Sequence, residues 1–229
     1  QGNPNLKPSD HYNLDLKWDF NPTPTELISL TAFYKLIKNP ISRIEVASAG
    51  GYLSYENIAD KATVAGVEIE IRKNLFVRPV SNAAHGMNKL SLGLNGSYIY
   101  TNAKMPLATV TTGSQLEGAA PWIVNFDLSH NFTKGERSFV NTLVLNYVSD
   151  KIYTIGTQGY QDVMEQGVLI LDFVSQAKLN KHLSLNLKAR NLLNPSYKLS
   201  RKANENGEKV ILNDYKKGIN ISLGVSCTF

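Results

Sequence analysis

Side chains that carry acid–base, nucleophilic or metal chemistry are few and scattered in this sequence of 229 residues. The four histidines lack the spacing of a metal site: His11, His85, His130 and His182. Ser129 and His130 are adjacent, but neighbours on a strand point to opposite faces and cannot form a nucleophile–base pair. No G-x-S-x-G, phosphate-binding loop or G-x-G-x-x-G motif occurs. The sequence predicts no catalytic residue, no metal and no cofactor.

Glu68 and Glu70 are the most suggestive pair of carboxylates. On a strand they share one face, about 7 Å apart, a separation compatible with acid–base catalysis. Arg72 follows on that face, which favours a ladder of charges on a polar wall. The net charge of +5 and the pI near 9.1 are compatible with a nucleic-acid partner. However, the basic residues of segments such as 181–190 alternate with apolar residues and do not cluster, so no nucleic-acid partner is predicted.

Strict alternation of apolar and polar residues is the dominant pattern. It is cleanest in 219–229, where Ile219, Ile221, Leu223 and Val225 alternate with small polar residues and glycine. Nine such segments predict an all-β chain with nine strands, mostly longer than the 5–6 residues usual in globular proteins. The predicted strands are 10–20, 27–37, 63–75, 89–100, 122–132, 138–149, 167–179, 183–190 and 219–229.

The connections alternate in length. Those at 21–26, 133–136 and 180–182 are short, whereas 40–61, 102–119, 150–165 and 203–216 are long, a pattern typical of transmembrane antiparallel β-barrels. The connection near 76–88 is longer than we expect for the short-turn side. A soluble β-sandwich, in which each sheet has one solvent-exposed polar face, is the structural alternative, but strands of this length are rare in sandwiches.

The energetic cost of placing charge in a bilayer predicts which face of each strand points toward lipid and which toward the lumen. A Lys or Arg facing lipid at the midplane costs about 2–4 kcal/mol, so the apolar set from Tyr12 to Phe20 must face outward. We therefore expect five charged side chains to face the lumen: Asp15, Lys17, Glu68, Glu70 and Arg72. The four histidines are expected at polar lumen or turn positions. The mean hydropathy of −0.21 is then the average over apolar residues that face lipid and polar residues that face water.

Composition sets further bounds. The lone Cys227 excludes an intramolecular disulfide, and no apolar run reaches the 18 residues of a membrane helix. The first residues lack the charged and apolar regions of a signal peptide, so none is expected.

Several motifs resemble the barrel of TonB-dependent outer-membrane receptors. They are Gly2-Asn3-Pro4-Asn5-Leu6-Lys7-Pro8, Ala32-Phe33-Tyr34-Lys35 with Ile37-Lys38-Asn39-Pro40-Ile41, Ala65-Gly66-Val67-Glu68-Ile69-Glu70, and Ala189-Arg190-Asn191-Leu192-Leu193-Asn194-Pro195-Ser196-Tyr197. Phe229 resembles the terminal aromatic residue read by the outer-membrane assembly machinery. In these motifs the sequence resembles the receptors of the Bacteroidota, but it lacks the C-terminal pattern of their large glycan importers.

The resemblance implies that residues 1–229 are the C-terminal part of a 22-stranded barrel in the bacterial outer membrane, with the plug domain and the N-terminal strands outside this chain. If the last strand ends in the periplasm, the first of nine antiparallel strands also runs toward the periplasm. A complete barrel begins with a strand that leaves the periplasm, so this first strand is expected in mid-barrel. The implied partners are the remainder of the same receptor, TonB through the plug, the lipid bilayer, the assembly machinery and a surface lipoprotein.

The implied function is active uptake of a scarce nutrient, namely a siderophore, cobalamin, a peptide or a glycan. Ligand contacts then belong to the long connections, where the candidates by residue type are Arg43, Tyr52, Tyr55, Tyr153, Gln158 and Tyr160. Two other classes stay open: a smaller outer-membrane barrel with hydrolase activity, and a soluble adhesive β-domain.

Overall fold

The fold was analysed in a computed structural model, which describes residues 2–46, 52–80, 86–105, 115–157, 160–203 and 208–228. These ranges contain β-strands and irregular connections. Among them there is no helix with the length and apolar character needed to cross a membrane.

Fifteen strands follow one another in the described ranges. They are β1 (Asp10–Phe20), β2 (Leu27–Lys38), β3 (Ile41–Glu45), β4 (Leu53–Asn57), β5 (Lys61–Pro79), β6 (Met87–Ala103), β7 (Trp122–Lys134), β8 (Arg137–Val148), β9 (Lys151–Thr154), β10 (Val163–Glu165), β11 (Val168–Lys178), β12 (Leu183–Arg190), β13 (Ser196–Lys202), β14 (Lys209–Lys216) and β15 (Asn220–Cys227).

Nine of these strands form one antiparallel sheet, here called the wall, in the order β1-β2-β5-β6-β7-β8-β11-β12-β15. They are the nine strands predicted from alternation, so the all-β prediction is confirmed. β5 and β6 extend further than predicted and pair as far as Pro79 with Met87, across a register shift between Asn74 and Phe76. The expectation of a long connection at 76–88 is therefore wrong, because strand pairing leaves only residues 80–86 between them.

Long and short connections alternate strictly along the wall. Short ones at 21–26, 80–86, 135–136 and 179–182 lie at one end, and long ones at 39–60, 104–121, 149–167 and 191–219 lie at the other. The six remaining strands all belong to long connections. Alternation did not predict these strands. Four of them have only 3 to 5 residues, and the 8 residues of β14 do not alternate between apolar and polar.

The two faces of the wall differ sharply in polarity. In antiparallel pairing, directly opposed residues lie on the same face. Leu16 is opposed to Ala32, which is opposed to Val67, and this row continues to Tyr98 and Trp122. One position along, the polar face carries the row Lys17, Thr31, Glu68 and Ser97.

The apolar face is uncovered. Leu16 is 74% exposed and Leu223 is 73% exposed, although water would penalise both side chains. Aromatic pairs lie near both ends of β7: Tyr98 with Trp122, 4.6 Å between centroids, and Phe132 with Phe139, 6.4 Å. Trp122 and Phe132 lie about 33 Å apart along the strand, or about 25 Å in height at a tilt of about 40°, which matches the apolar band of a transmembrane barrel.

The buried core lies at the long-connection end rather than in the wall. Ile37, Ala62 and Ala103 form one cross-strand row at the end of the polar face. The long connections pack against this row with Ile44, Ile58, Ala59, Leu116, Ile152 and Ile155. Ala62 and Ala103 are each only 1% exposed, and their small side chains let the connections approach the wall closely. The long connections therefore fold over one end of the polar face.

We expect the two faces to tolerate charge very differently. Leu30 is 50% exposed on the apolar face, and its neighbour Thr31 lies on the polar face opposite Glu68. Leu30→Arg should lower the free energy of unfolding in lipid vesicles by about 2–4 kcal/mol because it places a cation in hydrocarbon. Thr31→Arg is the matched control and should cost less than about 1 kcal/mol. Equal losses in urea titrations of the two variants would contradict the assignment of faces.

Two wall glycines provide a test of close packing. A Cβ at Gly66 would overlap the Tyr98 carbonyl oxygen and the ring of Phe33, whereas a Cβ at Gly96 would meet only Ile69 Cγ2, at 3.7 Å. Gly66→Ala should therefore destabilise the protein by about 1–3 kcal/mol, the usual cost of overpacking. Gly96→Ala should leave the urea midpoint close to that of the parent, and the opposite ranking would refute this packing.

Candidate ligand-binding loop layer

The long connections form a second layer of strands at the end of the wall, here called the loop layer. Four of its strands pair in the order β14-β13-β10-β9, and β3 pairs with β4. A parallel bridge between Ile44 and Ile155 joins β3 to β9. Two backbone hydrogen bonds support this bridge, from Glu45 N to Ile155 O (3.0 Å) and from Ile155 N to Arg43 O (3.1 Å). Connections distant in sequence therefore form one ordered surface.

Arg43 fastens three of the connections together. Its guanidinium donates hydrogen bonds to the Tyr153 carbonyl oxygen and lies 3.9 Å from the centroid of the Tyr153 ring. It also forms an ion pair with Glu117 (3.2 Å), which accepts a hydrogen bond from the Arg43 backbone N–H (2.5 Å). A planar guanidinium suits this combination of forked hydrogen bonding and ring stacking better than an ammonium group does.

A second arginine fastens the far side of the loop layer. Arg201 on β13 forms an ion pair with Glu45 at the end of β3 and lies 5.4 Å from the ring centroid of Tyr160. Burial lowers the pKa of the Arg201 guanidinium from its ordinary value, yet it stays charged at neutral pH because an arginine pKa lies so far above 7. Thr157 adds a hydrogen bond from its hydroxyl to the Glu45 carbonyl oxygen (2.5 Å).

The structure brings several candidate ligand residues together. Arg43 and Tyr153 are in direct contact, and Tyr55 is the cross-strand partner of Arg43. Tyr52 is 60% exposed, and Tyr160 lies apart from these residues, against Arg201. Gln158 lies outside the described residues. A ligand-binding role for all six stays a prediction, and the guanidinium of Arg43 is already engaged in holding the loop layer together.

Sequence reasoning missed the partners Glu45, Glu117 and Arg201. They lie up to 156 positions from the groups they contact, and no local pattern marks them. A cavity of about 150 Å³ was also missed. It lies beside Tyr153 and is lined on the neighbouring strands by Glu165, Tyr197, Lys198, Leu199, Asn213 and Tyr215. Such a mixture of aromatic and polar groups can bind a small polar molecule.

The charged residues predicted to face the lumen all lie on the polar face. Asp15 and Lys17 alternate with the exposed apolar residues of β1, and Lys17 forms an ion pair with Asp19 (3.2 Å). Glu70 forms an ion pair with Arg72 (2.6 Å), as expected for a ladder of charges. Glu68 faces Thr31 and Ser97. That the polar face lines a lumen, so that these five side chains point into it, stays a prediction.

The histidines form no common site in the described part of the chain. His11 lies beside the Ser9 hydroxyl (3.2 Å), and His182 lies in a turn beside the Thr228 carbonyl oxygen (2.7 Å). His130 was expected at a lumen or turn position, which is wrong. It lies on the apolar face, where Asn88 satisfies its ring nitrogen (2.8 Å). No group of three His, Cys, Asp or Glu side chains suited to a metal occurs among the described residues, and His85 lies outside them.

A wall with one apolar face, one polar face and long, partly strand-forming connections at one end is the architecture of a transmembrane β-barrel. The chain belongs to the TonB-dependent receptor barrel family, because the family model "TonB dependent receptor-like, beta-barrel" matches residues 1–192. This family consists of outer-membrane receptors that transport rather than catalyse. No curated protein and no solved structure shows a significant match. The strands β13 to β15 lie beyond the matched span and continue the architecture: β13 pairs with β10, β14 with β13, and β15 with β12.

We expect loss of the Arg43 guanidinium to loosen the loop layer locally. Arg43→Gln removes the ion pair and the ring contact, so opening of the β3–β9 bridge should become easier by about 1–3 kcal/mol. Hydrogen exchange of the Glu45 and Ile155 amides in the intact receptor measures this change. Arg78→Gln is the control, because the Arg78 guanidinium contacts Phe76 near the other end of β5. Unchanged exchange in Arg43→Gln would show that the contact is dispensable.

Proposed function

We propose that this chain is part of a receptor that takes up a scarce nutrient across the outer membrane by TonB-dependent active transport. The observation that carries the proposal is the loop layer folded over one end of a polar wall. Such a layer provides a surface for capturing a solute above a polar interior. The family supports the receptor class, and the nutrient is a siderophore, cobalamin, a peptide or a glycan.

The proposal extends to the whole receptor. Residues 1–229 form the last nine of 22 strands, and the plug domain, which TonB engages, belongs to the rest of the same protein. The Bacteroidota type is part of the proposal.

Further partners follow from the same proposal. The apolar face contacts the bilayer, and the loop layer is the surface that a lipoprotein would cover. Phe229 lies outside the described residues, and its role as the signal for the assembly machinery stays a prediction.

Uptake measurements in cells test the proposal. Cells carrying the intact receptor should accumulate one of the four labelled nutrient classes, and deletion of either the receptor or TonB should reduce accumulation to the same background. Dissipating the proton gradient should have the same effect, because active transport requires energy. Accumulation that needs the receptor but persists without TonB would indicate a passive channel and refute the proposal.

A further inference from the structure

Three lysines lie side by side on neighbouring strands at the long-connection end of the wall. Lys38 on β2 is directly opposite Lys61 on β5. Ala62 is opposite Ala103, so Lys104, the residue after Ala103, lies next to Lys61 on the side of β6. Lys61 and Lys104 line the same cavity, and all three lysines are exposed. The wall therefore carries a row of three cations, here called the lysine row.

The lysine row is electrostatically unfavourable by itself. Like charges directly opposite each other on a sheet destabilise the pairing. No carboxylate forms an ion pair with these lysines among the described residues, although Asp10 is the cross-strand partner of Lys38 and Asp60 lines the cavity. Lys38 has one compensating contact, with its ammonium 5.1 Å from the ring centroid of Tyr12. An anion bound from outside would relieve the repulsion.

The lysine row lies on the uncovered apolar face. The next row toward the middle of the wall contains Leu36 opposite Thr63, and the row after it contains Tyr34 and Tyr100. Tyr34 and Tyr100 are both exposed, as expected for aromatic residues at a membrane interface. Ammonium groups just beyond such a belt lie at the depth of lipid headgroups.

The cavity beside the lysine row suits a molecule that is polar at one end and apolar at the other. Its volume is about 450 Å³, and Lys61 and Lys104 line it together with Leu36, Thr63 and Asn102. Lys61 lies in the row toward the end of the wall, whereas Leu36 lies in the row on the side of the apolar band. The side-chain amide of Asn102 between them can donate hydrogen bonds to ester or phosphate oxygens, whereas the Thr63 hydroxyl already donates to the Asn102 carbonyl oxygen (3.4 Å).

We propose that the lysine row binds the phosphate-bearing headgroup of a membrane lipid, whose acyl chains lie on the apolar face below it. Clustered lysines contacting one lipid favour a headgroup with more than one negative charge. The inference goes beyond nutrient uptake. It rests on the apolar face contacting lipid and needs no particular cargo, so it stands or falls separately from the transport proposal.

Native mass spectrometry of the intact receptor in a neutral detergent tests this proposal. Cardiolipin is the probe with two negative phosphates, and phosphatidylcholine is a zwitterionic probe whose single phosphate is balanced by its choline cation. The parent should retain cardiolipin, and K38Q, K61Q and K104Q should each weaken its binding about fivefold. The triple Lys→Arg variant should retain binding, because it keeps the three charges. This variant separates a charge effect from misfolding.

The matched control is the triple variant K35Q, K178Q and K188Q, which removes the same charge from the polar face and should retain cardiolipin fully. Equal cardiolipin retention by the parent and by the triple K38Q, K61Q and K104Q variant would overturn the proposal. Displacement of cardiolipin by millimolar inorganic phosphate would also overturn it, since it would identify a site for free anions. Loss of phosphatidylcholine along with cardiolipin in the lysine-row variant would indicate general damage to the apolar face and count against it.

Discussion

The structure depends on one constraint, which is that a backbone amide in hydrocarbon must find its hydrogen-bond partner within the protein. The seven inner wall strands meet this constraint through antiparallel pairing on both sides, and the described residues of β1 and β15 meet it on one side. Because pairing satisfies the backbone without a packed interior, the side chains are free to alternate between a lipid face and a polar face. The exposed Leu16 and Leu223 are consequences of this arrangement and are compatible with a stable protein.

The buried core lies at the long-connection end of the wall, beyond the apolar band. Beyond the apolar band, the described residues of the long connections pack against Ile37, Ala62 and Ala103 and are held together by the ion pairs of Arg43 and Arg201. Hydrophobic burial and charge pairing thus act together in the loop layer, as they do in a small soluble domain. A surface held in this way is suited to selecting a solute, because its shape does not depend on the lipid.

Alternation also gives three adjacent pairs of residues a double role. Ile37, Ala62 and Ala103 point toward the loop layer, while their chain neighbours Lys38, Lys61 and Lys104 lie on the opposite face. The same short stretch of wall therefore anchors the connections on one side and carries the proposed lipid contact on the other. Both features are carried by the same three strands, β2, β5 and β6.

The sequence by itself determined the nine wall strands, their two faces and the alternation of long and short connections, because a period of two is a local property of each strand. It also placed Glu70 and Arg72 on one face. Only the tertiary structure decided the rest. The six short strands, the Arg43–Glu117 and Arg201–Glu45 pairs and the lysine row depend on which distant segments meet, and no local pattern records this. His130 shows both sides of this division, since the period of two places it on the apolar face with Leu128 and Phe132, whereas only the tertiary structure provides its partner Asn88, 42 positions away.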